Sequence, residues 1–142
     1  MRQLLVISSF VLLASSTPTQ YTEAIENILE KAGDKSMVQI NKEIDAVVKK
    51  MDEKTQKDHE EWKKRIELEE KERMNRIKQV LPTLSIPTQQ KLVRIIMVQQ
   101  NKRMTPSEKQ RTLHHIMRNI DPSMRKEMTE KLTENDLFSL VL

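Results

Sequence analysis

The chain has no cysteine and only one glycine, Gly33, in 142 residues. The missing thiols exclude disulfides, thiolate metal clusters and a cysteine nucleophile. Scarce glycine removes the loops that cradle phosphates, so P-loop and dinucleotide-binding chemistry are excluded. Aromatic residues make up 3% of the chain. Sandwiches and barrels need β-branched and aromatic strands joined by glycine-containing turns, so this composition argues against them. Lys, Glu, Met, Ile and Leu dominate instead, and the expected fold class is all-α.

One hydrophobic run is present, at the start. In MRQLLVISSFVLLASS, Arg2 supplies the positive end, Leu4 to Ala14 the apolar stretch, and Ala14-x-Ser16 a small-residue cleavage pattern. Residues 1–16 are predicted to be a signal peptide, since the run is too short to span a bilayer as a helix. Residues 17–142 are then a single secreted, extracellular, all-helical domain. It has no second hydrophobic segment, so it is not expected to be transmembrane. No Asn-x-Ser/Thr site occurs, and N-glycosylation is not expected.

Helix boundaries are written locally. Tyr21, Ala24, Ile25, Ile28 and Leu29 recur at helical spacing up to Gly33, a stop signal. Ser36-x-x-Gln39 is a capping-box pattern ahead of the stripe Met37, Ile40, Ile44, Val47, Val48 and Met51, which predicts a helix over about 37–51. Residues 52–78 hold 18 charged side chains in 27. Trp62, Ile66, Met74 and Ile77 are the main apolar anchors there. Five Glu-to-Lys/Arg pairs at i,i+4 (Glu60–Lys64, Glu61–Arg65, Glu67–Lys71, Glu69–Arg73 and Glu72–Arg76) predict one long solvated helix, docked more firmly at its ends than in its middle. Beyond it, Ser85-Ile86-Pro87 starts a helix whose Leu92, Val93, Ile95, Ile96, Met97 and Val98 cover most of its circumference. That helix is expected to be central, with Ile96 fully enclosed. Thr105-Pro106-Ser107-Glu108 is a full capping box before Leu113, Ile116, Met117 and Ile120. Asp121-Pro122 restarts the chain with Met124, Met128 and Leu132. The expected architecture is five or six helices: one long and charged, with a compact C-terminal helical half. The tail, 133–142, either docks as a short helix or stays free.

Sites of chemistry are scarce. Adjacent His114 and His115 point about 100° apart on a helix, so they cannot share a metal from one face; one is expected at the core edge and one on the surface. His59, in a charged helix, is expected to titrate ordinarily. No calcium loop, His-Glu-x-x-His or Gly-x-Ser-x-Gly pattern occurs. No catalytic residue, metal or cofactor is therefore expected, and the chain reads as a non-enzyme. Residues 82–142 carry 10 basic and 6 acidic groups, with Lys91, Arg94, Lys102 and Arg103 as a basic edge. Nucleic acid is not an expected partner, because aromatics for stacking are nearly absent. Attraction to anionic glycans or lipid surfaces stays open. Eight Met follow Ser16, and their flexible side chains suit core filling or adaptable apolar surfaces. Ile96, Met97, Met117 and Met124 are the candidate ligand-binding residues.

The Glu43-Ile44-Asp45-Ala46-Val47-Val48 helix, the long Lys/Glu helix, Thr105-Pro106-Ser107-Glu108 and Asp121-Pro122-Ser123 before Arg125-Lys126-Glu127, laid in order behind a signal peptide, resemble the nematode SXP/RAL family of small secreted helical antigens and allergens. The resemblance covers about residues 21–132. This chain departs from it in lacking a Pro-rich start and in having Val47 where members often carry Trp. The resemblance implies a secreted all-helical fold and a parasite–host setting, with no established reaction and no site residue to transfer. Three functions follow as expectations: a non-enzymatic interaction protein with a protein or small apolar partner, a carrier of fatty acids or similar apolar ligands, and a chaperone-like binder of unfolded clients. Export is checked by sequencing the N-terminus of secreted material, which is expected to start at Thr17; a start at Met1 would count against the leader.

Overall fold

A computed structural model of the chain describes residues 19–141, with side chains described for residues 20–137. The expected leader, residues 1–16, lies outside the described residues. Every regular element among the described residues is helical. The order is α1 (Thr19–Glu30), α2 (Met37–Val48), α3 (Glu53–Val80), a 3₁₀ turn (Leu81–Thr83), α4 (Ile86–Gln100), α5 (Pro106–Arg118), α6 (Pro122–Lys131) and α7 (Glu134–Val141). The fold is all-α, with seven α-helices among the described residues where five or six were expected. The additional one is α7, formed by the tail.

The local signals do what their chemistry requires. Gly33 takes φ +48° behind α1, a conformation that costs a glycine little. Ser36 caps α2 and Thr105 caps α5, each in a reciprocal box in which the side chain of Gln39 or Glu108 accepts the cap residue's backbone N–H. Asp121 caps α6 by accepting the Met124 N–H. Helix α2 stops at Val48, short of the expected Met51, and the chain tightens through turns in which Met51 N–H donates to the Val48 carbonyl.

The chain divides into two compact units, Met1–Glu67 and Leu68–Leu142. In the first unit, Tyr21, Ile25, Ala32, Ile40, Ile44 and Val48 form a core, with Ile28, Leu29, Met37, Met51 and Trp62 packed on it. In the second, the core is Ile77, Leu84, Leu92, Ile95, Leu113, Ile116, Ile120, Met128 and Leu132. The boundary falls inside α3, where residues 67–72 are all exposed. Thr55 and His59 toward one end of α3, and Ile77 toward the other, are buried, as the expectation of firm ends requires. Among the described residues none of the five expected i,i+4 pairs closes to ion-pair distance. Lys54–Asp58 at 3.5 Å and Glu60–Lys63 at 3.7 Å form instead. Exposed pairs gain little in high dielectric and cost side-chain freedom, so sequence spacing does not guarantee contact.

In α4 the predicted all-round burial does not hold. Thr88, Leu92 and Ile95 face the core, while Val93 and Met97 are exposed. Ile96 is only partly buried, because it sits about 100° around the helix from Ile95. Ile95→Ala is therefore expected to cost about 2–5 kcal/mol through lost transfer energy and a cavity. Ile96→Ala should cost clearly less. Urea denaturation midpoints of the two variants check this order.

Candidate functional site

The four sequence-selected residues do not converge on one pocket. Ile96, Met117 and Met124 pack, partly buried, against the second unit's core, whereas Met97 is 66% exposed. Two open hollows lie elsewhere in that unit, and none of the four lines either. One, of about 330 Å³, is lined by Glu69, Glu72, Arg73, Arg76, Asn135 and Asp136. The other, of about 680 Å³, is lined by Gln110, Arg111, His114, His115, Arg118 and Asn119.

Met97 has different company. At about 100° per residue, Ile86, Gln90, Val93, Met97 and Gln100 fall within one stripe of α4, opposite Thr88, Leu92 and Ile95. Ile86 is 69% exposed and Val93 39%, and Gln90 and Gln100 are exposed between and beyond them. The stripe contains no charge. Single exposed apolar residues are ordinary, but three on one face make a patch, and Met adapts its shape readily. The sequence pattern located these residues; only the fold reveals that they face outward.

The same unit is pinned by polar contacts that sequence periodicity does not reveal. Arg76 donates to both carboxylate oxygens of buried Asp136, at 3.0 and 3.3 Å, tying α7 to α3. This contact holds the Asp136 carboxyl below the usual range. Glu127 of α6 accepts from Thr88 Oγ1 at 2.6 Å, from Ser85 Oγ at 2.7 Å and from the Ser85 N–H. Those bonds, from Thr88 foremost, lower the Glu127 carboxyl pKa.

The first unit contains a buried polar chain. His59, expected to titrate ordinarily in a wet helix, is 2% exposed. Its Nδ1 lies 2.9 Å from the hydroxyl of Tyr21, which is 1% exposed. Burial pushes the Tyr21 phenol up to about 12, so the hydroxyl keeps its proton. The remaining ring nitrogen, Nε2, lies 3.5 Å from Asp45 Oδ1, too far for a good hydrogen bond, and is left without a hydrogen-bond partner. Lys63 Nζ holds that same oxygen at 3.0 Å. Burial pushes the Asp45 carboxyl up, but Lys63 and His59 together outweigh it and hold the group below its usual range. The Trp62 ring lies 5.8 Å from the imidazole. Tyr, His and Asp in line resemble a proton relay, yet two of the three are enclosed. The missed signal was the i,i+4 placement of Thr55 and His59, which gives α3 a polar buried edge. His114 and His115, expected at the core edge and on the surface, are both exposed, because Leu113 and Ile116 take the core-facing positions. Among the described residues no cluster of three His, Cys, Asp or Glu suitable for a metal occurs, and no helix is long and apolar enough to cross a membrane.

Comparison with protein-family models, characterised proteins and solved structures returns no match.

Burial lowers the His59 pKa, outweighing the opposite pull of Asp45. The unfolded chain then binds a proton more readily than the folded unit. Stability from neutral His59 is fully present above about pH 6.5, its unfolded value, and is lost as pH falls below that toward the folded value. Urea midpoints at pH 7.5 and 5.5 are expected to show this loss in the wild type and a smaller one in His59→Gln. Equal losses would place the proton elsewhere.

Proposed function

We propose that this chain is a secreted, non-enzymatic interaction protein that presents the outward face of α4 to an apolar groove of a partner protein. The carrying observation is the uncharged stripe Ile86, Gln90, Val93, Met97 and Gln100, with three large apolar side chains in water. Apolar anchors at i, i+7 and i+11 are the pattern by which a helix seats in a groove. Exposed Arg94 flanks the stripe, which suits a groove with an acidic rim. The charge–apolar–small start supports export, and the resemblance to the SXP/RAL antigens supports a parasite–host setting. The carrier of apolar ligands has less support, since Ile96, Met117 and Met124 pack on the core while the two hollows described are lined by polar and charged residues.

A photocrosslinking residue at position 97 is expected to give a saturable adduct in host or secreted fluid. The same residue at Leu68, which is also exposed and apolar, should give none. Excess unlabelled wild type should compete the adduct away, and Met97→Glu should compete at least about tenfold less well. Its folding stability should stay within about 0.5 kcal/mol of wild type, because position 97 is at the surface. Equal labelling from positions 97 and 68 would remove the α4 face from the reading.

A further inference from the structure

Helix α5 has two unlike faces. Leu113 and Ile116 are 1% and 2% exposed, so its apolar side is occupied by the core. On the other side, Arg111, His114, His115 and Arg118 stand at i, i+3, i+4 and i+7, all exposed. They share one stripe roughly 10 Å long, at about 1.5 Å of rise per residue. With Gln110 and Asn119 they line the open hollow of about 680 Å³. Six hydrogen-bonding side chains, four of them basic residue types, thus converge on one shallow surface.

Five acids of this unit are engaged away from that face. Glu108 closes the Thr105 capping box, and Asp121 caps α6. Glu127 is held by Ser85 and Thr88, and Asp136 by Arg76. Glu130 pairs with Lys126. Among the described residues none of Arg111, His114, His115 or Arg118 forms an ion pair with a carboxylate. A helix C-terminus attracts cations, which accounts for His115 and Arg118 in the last turn, but not for Arg111 and His114. No carboxylate is among the residues lining the hollow, so the charges of Arg111 and Arg118 make it positive.

We infer that this face of α5 binds a sulfated polysaccharide. A flexible linear anion can follow a single-helix stripe, and guanidinium groups match sulfate oxygens with paired, charge-assisted bonds. An anionic membrane fits less well. A helix lying in a lipid surface inserts its apolar side, and that side of α5 is buried in the core. Nucleic acid also fits less well, since no aromatic side chain lines the hollow to stack on bases. This inference stands on α5 alone and does not depend on the partner assigned to α4.

The test is calorimetry of the full secreted chain with a heparin decasaccharide at 0.15 M NaCl. Binding is expected, with affinity falling as salt rises. Arg111→Ala/Arg118→Ala should weaken it about tenfold or more. Lys49→Ala/Lys50→Ala removes the same charge from exposed positions of the other unit and should change affinity less than about twofold. Circular dichroism of each variant shows whether the fold is kept, and Gln110→Ala/Asn119→Ala provides a charge-neutral second probe, expected to weaken binding to a smaller degree. No binding by the wild type would overturn the inference, and so would equal losses in the two double cation variants. Tighter binding to phosphatidylserine vesicles, or to a duplex of matched charge, would overturn it in favour of a membrane or nucleic acid.

Discussion

The middle of α3 buries nothing, and the rest of the structure follows from that constraint. From Glu67 to Glu72 every side chain is exposed, so apolar packing can only gather at the two ends of the helix. Each unit then carries its own core, one around Tyr21, Ile25, Ile40 and Ile44, the other around Ile77, Leu92, Ile95, Leu113 and Ile116. Such a helix gains little from propensity or exposed ion pairs alone; its stability comes from what its ends pack against.

With few aromatic residues, the two cores are built mainly from aliphatic side chains, and polar contacts supply the specificity. In the second unit Arg76–Asp136 fixes α7, and Glu127 ties α6 to the start of α4. In the first, Tyr21 and His59 are enclosed as a hydrogen-bonded pair. Burying these groups is unfavourable unless they are bonded to each other, so they select one register of helices over others. The burial of His59 makes that selection sensitive to acid.

The same distribution shapes the surface. Glu108, Asp121, Glu127 and Asp136 are drawn into caps and inter-helix bonds, while Arg111 and Arg118 remain outside. Apolar side chains exceed what the second core encloses, so Ile86, Val93 and Met97 stay in water on α4. Two chemically distinct outward faces, one uncharged and one cationic, therefore lie on successive helices of one unit.

Local chemistry determined the helices themselves. Gly33, the Ser36 and Thr105 capping boxes, and Asp121-Pro122 satisfy orphan backbone groups within a few residues of their own position, so they are legible without a fold. The charged run over 52–78 likewise announced a wet helix. What faces what was decided by tertiary structure. Ile95 and Ile96 are equally apolar and differ by about 100° of rotation, and only the position of the neighbouring helices chose Ile95 for the core. Tyr21 and His59 are 38 residues apart, and nothing in either local stretch signals their hydrogen bond. Met97 is an apolar residue in an apolar run, and its exposure depends on α4 being covered on one side alone. Sequence periodicity carries the existence and type of an element; the direction of each face is a property of the surface that packs against it.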